Sequence, residues 1–182
     1  MKLSVCIPYY ESHPEKRELL DDCVKSLKGQ DEIIVLAGKQ KSLSVAINML
    51  FEMAHGEYII ISNDDLTLDS GNLKDLCIPE VVTSPLINGT VRQFSGHMFC
   101  VPRTVYEKVG GYDERYTIAY YDDDDFLMNL KTNNIDTRSV GSVNVLHPVG
   151  GTTLHTYPNR EKFSEENKRK FVDKWGREPL EL

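Results

Sequence analysis

"GEYIIISNDD", Gly56 to Asp65, runs from a glycine and a glutamate through four apolar residues into a serine, an asparagine and two aspartates. A short apolar run with no polar face suits a strand buried on both sides, as in a parallel sheet. Asn63-Asp64-Asp65 could be a turn, because Asn and Asp favour turns. A turn explains one such residue better than a triplet at the end of a buried strand. Reading toward the N-terminus, "EIIVL" gives an earlier buried strand and "LSVCIPYY" the first. Between them, Pro14 can open a helix in which Leu19, Leu20, Cys23, Val24 and Leu27 recur at helical spacing, ended by Gly29. Val45, Ala46, Met49, Leu50 and Met53 form a second stripe, closed by Gly56. The first 62 residues therefore read strand, helix, strand, helix, strand, the pattern of a parallel sheet covered by helices.

The second half is less regular. "LTLDSGNLKDLCIPE" reads as a loop with a short helix, "FSGHMFCVP" as a strand and "RTVYEKVGG" as a short helix ended by two glycines. A helix is expected from Asp123 to Asn133, with Phe126, Leu127 and Leu130 inward. "DTRSVGSVNVLH" reads as extended, and Arg160 to Trp175 as a helix anchored by Phe163, Phe171 and Trp175.

The 182 residues fit one domain with a core that needs no staples, and a 40% apolar and 27% charged share is ordinary for a globular protein. A net charge of −7 argues against a broad electrostatic grip on nucleic acid. The four cysteines, Cys6, Cys23, Cys77 and Cys100, are scattered among apolar residues, as free core thiols are. The apolar run at the start stops at Pro8, too short for a signal peptide, and no other run could span a membrane. The expected location is the cytoplasm.

In open parallel sheets, ligands bind beyond the carboxyl ends of the strands. Three such ends are readable here: Pro8 to Glu11, Ala37 to Ser42, and Ser62 to Asp65. They offer aromatic faces, two lysines (Lys39 and Lys41) and a carboxylate pair. Together these suit a nucleoside diphosphate with a divalent ion. Each has a plain alternative: Tyr9 and Tyr10 as core aromatics, the lysines as solvated loop residues. The other acidic spot, "AYYDDDDFLMNL" (Ala119 to Leu130), sets four aspartates between aromatic flanks that solvated charges would not need.

With "CIPYYE", "VAIN", "GEYIIISNDD", "GHMFCVPRTVYEKVGGYDERY", "DDDDF" and "HPVGGT" in this order, the chain resembles the family 2 nucleotide-sugar glycosyltransferases of the GT-A fold over nearly its whole length. The resemblance implies an α/β, GT-A fold: a mostly parallel central sheet flanked by helices in one compact domain. Residues 1–65 would form a nucleotide-binding half, 90–150 a donor-sugar and acceptor half, and 160–176 a C-terminal helix. It implies metal-dependent transfer, with inversion, from a nucleoside-diphosphate sugar to a hydroxyl acceptor. Asp65 and His147 would hold Mn2+ or Mg2+. Pro8, Tyr9, Tyr10, Glu11, Lys39, Asn48, Asn63, Asp64 and Gly96 would line the donor site. Asp123 would be the general base, beside Asp122. A partly dry cleft and neighbouring carboxylates would raise its proton affinity. Asp122 and Asp125 are expected to cap the following helix and Asp124 to face solvent.

The chain departs from the family pattern in the nucleotide pocket. Ala37 and Gly38 stand where relatives carry a base-holding Asp, Ile47 replaces an Arg, and Glu11 an Asn. Lys39 or Gln40 could substitute, and uridine is the nucleoside expected. The acceptor, whether a glycan, a lipid-linked or a small molecule, has little chain to line its pocket. A partner, such as a second copy in a homo-oligomer, could complete it. Two other readings stand beside this one: a sugar-nucleotide binding module without catalysis, and a calcium-dependent structural or glycan-binding protein using "DDDD". A calcium loop usually alternates its ligands around a glycine turn, which "DDDD" lacks.

Overall fold

Leu3–Tyr9 is apolar at almost every position, has no face to offer water, and forms a central strand, β1, with a parallel neighbour on each side. The computed structural model describes residues 1–10, 15–27, 29–118, 120–148 and 160–179. After β1 come α1 (Glu15–Ser26), β2 (Glu32–Ala37), α2 (Leu43–Met53), β3 (Tyr58–Ser62) and β4 (Thr67–Ser70). A 3₁₀ turn (Leu73–Leu76), β5 (Val81–Ile87), β6 (Met98–Pro102) and α3 (Arg103–Val109) follow, then α4 (Asp122–Thr132), β7 (Asp136–Leu146) and α5 (Arg160–Trp175). The expected helix start at Pro14 lies outside the described residues.

The seven strands form one sheet in the order β2-β1-β3-β6-β5-β7-β4. β1, β2, β3, β5 and β7 point one way, while β6 and β4 are antiparallel to their neighbours. Alternation along the strands splits the core into two layers. Cys6, Ile59, Ile61, Phe99 and Val101 face α2, α3 and α4. Leu3, Val5, Ile7, Ile60, Met98 and Cys100 face α1 and the 3₁₀ turn. Outside α4, Tyr116, Met128 and Phe171 form a third cluster with Trp175 against it. All four cysteines are free. Among the described residues, no helix is long and apolar enough to cross a membrane.

The sequence reading misses β4, which lies inside the stretch read as a loop with a short helix (66–80), and β5, which follows it; the short helix is the 3₁₀ turn. Pro85 lacks a ladder donor and argues against an interior strand. Here it sits where the register between β5 and β7 slips. The signal that could have found β5 is the Asn88-Gly89 pair that ends it. Both residues have positive φ (52° and 73°), and Ile87 and Thr90 bond to each other across them, as in a two-residue hairpin turn.

Gly56 admits the start of β3 against β1. A Cβ there would lie 2.6 Å from the Tyr58 carbonyl oxygen and 2.7 Å from the Ser4 backbone nitrogen, neither of which can swing away. Gly56→Ala is expected to cost about 1–3 kcal/mol through overpacking, read as a lower urea midpoint at unchanged slope.

Candidate active site

The topology puts the carboxyl ends of β1, β2, β3, β5 and β7 and the amino ends of β6 and β4 along one edge of the sheet. Asp64 and Asp65 stand there directly after β3, 7% and 5% exposed. Burying two adjacent acids requires partners. Lys16, from the first turn of α1 and itself 1% exposed, reaches Asp64 Oδ1 at 2.7 Å. Burial still outweighs this ammonium, and the Asp64 carboxyl is raised above the usual range. Lys16 has no signature in the sequence; it becomes legible only once α1 is folded across the end of β3.

Asp65 faces His147. Nε2 of the imidazole lies 3.3 Å from Asp65 Oδ1. The approach lacks hydrogen-bond alignment, so among the described residues each of these buried atoms keeps an unfilled bonding direction. Burial raises the Asp65 carboxyl, but His147 and Lys16 more than offset it, and the net shift is downward. His147 is fixed from behind by Asn88. Its N–H donates to Asn88 Oδ1, and Asn88 Nδ2 donates to its carbonyl, both at 2.9 Å. The His97 ring lies against it, centroids 4.4 Å apart. Burial lowers the His97 imidazole, and the neighbouring His147 and Arg92 add to this. Asn63 ties β3 to the same loop: its N–H donates to the His97 carbonyl at 2.9 Å, and its side-chain amide lies 3.3 Å from His97 Nδ1.

Gly96, next to His97, connects this cluster to the second acidic spot. A Cβ on Gly96 would fall 2.0 Å from Asp123 Oδ2 and 2.2 Å from its Cγ. The Asp123 carboxylate thus lies against bare backbone, and any side chain at position 96 would evict it. Asp65, His147, His97, Gly96 and Asp123 form a continuous path along one edge.

The four aspartates, all in the first turn of α4, do different work. Asp123 accepts a hydrogen bond from the Tyr112 hydroxyl at 2.8 Å. Tyr112 is 4% exposed and stacked on Phe126 at 4.8 Å. Burial pushes the Asp123 carboxyl up to about 6; the Tyr112 hydroxyl opposes this and the charge of Asp124 adds to it. Asp122 is 2% exposed, and its Oδ2 has no partner among the described residues. Burial and the Asp123 charge push it up to about 8, so the two adjacent carboxyls release their protons in steps that belong to the pair. Asp124 is half-buried, not solvated as expected, and burial raises it. Asp125 is not a cap: it is 2% exposed and accepts from Tyr116 Oη at 3.0 Å and Trp175 Nε1 at 2.7 Å, with Lys174 Nζ 2.8 Å away. The helix is entered through Tyr121, which is left-handed (φ 65°) and makes no side-chain cap.

The expected nucleotide residues divide. Tyr9 is 4% exposed and packed in the core, so its ring is structural, whereas Tyr10 and Pro8 are half-buried. Lys39 Nζ sits 6.0 Å from the centre of the Tyr10 ring. Asn48 is spent inside the protein. Its Oδ1 accepts from Tyr112 N–H at 2.7 Å, and its Nδ2 donates to the Tyr112 carbonyl at 2.9 Å and to Glu114 at 3.0 Å. It clamps the Gly111-Tyr112 backbone, and through it the hydroxyl on Asp123. Glu11 and the Gly150-Gly151-Thr152 part of the histidine motif lie outside the described residues.

Among the described residues no three His, Cys, Asp or Glu side chains converge as a metal cage. The Asp65–His147 pair nevertheless fits a cation shared with a ligand. It offers one carboxylate oxygen and one imidazole nitrogen, both buried with unfilled directions. A Mg2+- or Mn2+-type ion in phosphate-binding sites commonly takes one or two protein ligands and completes its shell with phosphate and water.

No protein-family model matches the chain, and no curated protein matches it by sequence. Solved structures do match. Against GalNAc-T7 with UDP, GalNAc and Mn2+, the TM-score is 0.70 at 14% identity, over 96% of this chain and 48% of that one. Against the catalytic domain of Drosophila β1,4-galactosyltransferase 7 with xylobiose it is 0.64 at 16% identity, over 90% and 79%. Against a Pyrobaculum calidifontis mannosyltransferase with GDP-Man and Mn2+ it is 0.61 at 14% identity, over 98% and 66%. The chain thus spans about half the length of the GalNAc-T7 chain. Its fold is the GT-A fold of these transferases.

Proposed function

We propose that this chain is a family 2-type, divalent-cation-dependent glycosyltransferase that moves a sugar from a nucleoside-diphosphate sugar to a hydroxyl acceptor with inversion. One observation carries the reading: the unfilled Asp65–His147 pair and the sheltered Asp123 carboxyl lie on one sheet edge, joined through His97 and Gly96. Asp123 takes the acceptor hydroxyl proton as that oxygen bonds to the anomeric carbon. The anomeric carbon–phosphate oxygen bond breaks at the same time, and the nucleoside diphosphate leaves with the electron pair. A Mn2+ or Mg2+ held by Asp65 and His147 would offset the charge developing on that leaving group. Lys16 keeps Asp64 in place beside Asp65, and Asn88 keeps His147 turned toward it. Uridine is the first nucleoside to test. Tyr10 supplies a stacking face, and Lys39 a donor to carbonyl oxygens where the carboxylate usual in relatives is missing.

The test is thermal stabilisation by UDP, GDP and dTDP with and without Mn2+, followed by a donor screen scored by release of nucleoside diphosphate. Metal-dependent stabilisation by one nucleotide is expected; none by any would end the proposal. The absent carboxylate at Ala37 and Gly38 favours a second reading, a binding module without turnover. That reading predicts the same stabilisation and no release. A calcium role for "DDDD" finds less support, since Asp125 is bound to α5 while Asp123 faces Gly96.

The base must be ionised, so turnover should rise with pH through about 6 and level off above it. Tyr112→Phe removes the hydroxyl that favours the carboxylate. Its acid limb should move to higher pH by roughly one unit, the worth of one charge-assisted hydrogen bond. A pH–rate profile checks this, and an unmoved limb would show that the Tyr112 contact does not act on the base.

A further inference from the structure

The mechanism leaves the last of the four aspartates unused, and the structure gives it the densest set of donors in the cluster. Asp125 accepts from Tyr116, Lys174 and Trp175, and Lys174 also reaches Asp113 Oδ2 at 2.8 Å. Residues i and i+2 of a helix do not share a face, so Asp125 looks away from Asp123, toward α5. The same helix holds the chain that leads into α4. Asn167, fully buried, accepts from Thr117 N–H at 3.2 Å and donates to the carbonyls of Thr117 and Tyr120 at 2.9 and 3.1 Å. Lys170 Nζ donates to the Arg115 carbonyl at 2.9 Å, and the Phe171 ring lies 6.0 Å from that of Tyr121.

That approach is strained. Ile118, Tyr120 and Tyr121 have φ of 67°, 77° and 65°. Such angles are uncommon for any side chain and outlying for a β-branched or bulky one, and they persist only where the surroundings over-determine them. Here the surroundings are mainly α5, with the Leu43 N–H of α2 donating to the Ile118 carbonyl at 3.3 Å, and the residues that follow are Asp122 and Asp123.

We infer that α5 positions the base: Lys174 and Trp175, acting through Asp125, hold the first turn of α4 so that the Asp123 carboxylate stays packed on Gly96. They are positioning residues, and neither belongs to the donor or cation site described above. The kinetic part of this inference rests on the glycosyltransferase reading; the positional part does not.

The test compares the whole chain with Trp175→Phe, which keeps the ring and deletes the donor, and with Lys174→Met. Lys174→Arg serves as the conservative rescue. Lys168→Ala, on the same helix but paired with the exposed Glu178, is the control. Carboxyl ¹³C NMR of aspartate-labelled protein follows the titration of Asp123, which is faced by Tyr112 and the Gly96 backbone and flanked by Asp122 and Asp124. In the two disrupting variants water should reach the carboxylate, and its midpoint should fall from about 6 toward the ordinary carboxylate range. In the same variants kcat should fall tenfold to a hundredfold, the usual cost of a base displaced by about 1 Å. Donor KM and Mn2+-dependent stabilisation by UDP should stay as in the parent, and Lys174→Arg should recover most of the loss.

An unmoved Asp123 midpoint in cooperatively folded Trp175→Phe and Lys174→Met would overturn the inference, and so would loss of cooperative unfolding in both. If the parent chain transfers no sugar, the glycosyltransferase reading fails on its own, and the NMR titration still decides the role of α5.

Discussion

Asp123→Asn is expected to lower sugar transfer by about 10²–10⁴-fold, while Mn2+-dependent binding of UDP stays intact. The amide is nearly the same size, can still accept from Tyr112 and can still rest on Gly96, so the cleft keeps its shape. What it cannot do is take a proton. The same substitution should stabilise the fold at neutral pH. Burial raises the folded-state affinity of Asp123 for its proton, so its contribution to stability is full below the unfolded carboxylate range and is lost as pH rises through about 6. Above that pH the ionised carboxylate weakens the fold by an amount on the order of 1–3 kcal/mol. Asp123→Asn removes that cost at pH 7–8, and the gain should vanish near pH 4. Steady-state kinetics together with urea melts at the two pH values check both halves. Normal turnover in the variant would exclude Asp123 as the base.

Asp65→Ala should have the second large effect. Removing the carboxylate leaves His147 as the only remaining member of the proposed cation pair. Lys16 and Asp64 remain joined, so the end of β3 should hold its shape. UDP affinity in the presence of Mn2+ should drop by about a hundredfold or more, and the difference between titrations with and without the ion should disappear. Calorimetric titration reads both. An Asp65→Ala chain that binds UDP with undiminished metal dependence would move the cation elsewhere.

The contrast between these two variants separates the competing readings. A module without catalysis would lose binding with Asp65→Ala and show no change with Asp123→Asn, having no turnover to lose. A transferase distinguishes them, one failing in binding and the other in chemistry.

Much of this molecule is legible from local pattern. β1 and β3 are runs with no polar face, and α2 is an apolar stripe; both signals come from neighbours in sequence. The other two readings needed the sheet: β2, read as buried, is an edge strand with no fully buried residue, and α2 closes at Ala54 instead of Gly56. β5 was not legible because Pro85 contradicts a strand and only the bulge beside it reconciles the two. The Asn88-Gly89 pair pointed to it, but weakly without the alternation that usually flanks a hairpin. In the site, the acids were visible because buried carboxylates are rare and these stand in clusters. Their division of labour was not. Asp122, Asp123 and Asp125 look alike in sequence. They differ because Trp175 and Lys174 lie 50 and 49 residues from Asp125, and Tyr112 lies 11 residues from Asp123. Lys16 was hidden for the same reason: 48 residues separate it from Asp64. Asn48 was read as a ligand contact because "VAIN" matches a motif of the family the chain resembles. The backbone of Tyr112, 64 residues away, had already taken its amide.

The most direct test of one shared cleft is paramagnetic relaxation by Mn2+ in the presence of UDP, read at the carboxyl carbons of labelled aspartates. Asp64 and Asp65 should be bleached and Asp123 clearly broadened. Asp136, at the far end of the 11-residue strand β7 and so roughly 30 Å from the ion, should stay sharp. A sharp Asp123 signal beside a bleached Asp65 would contradict the account.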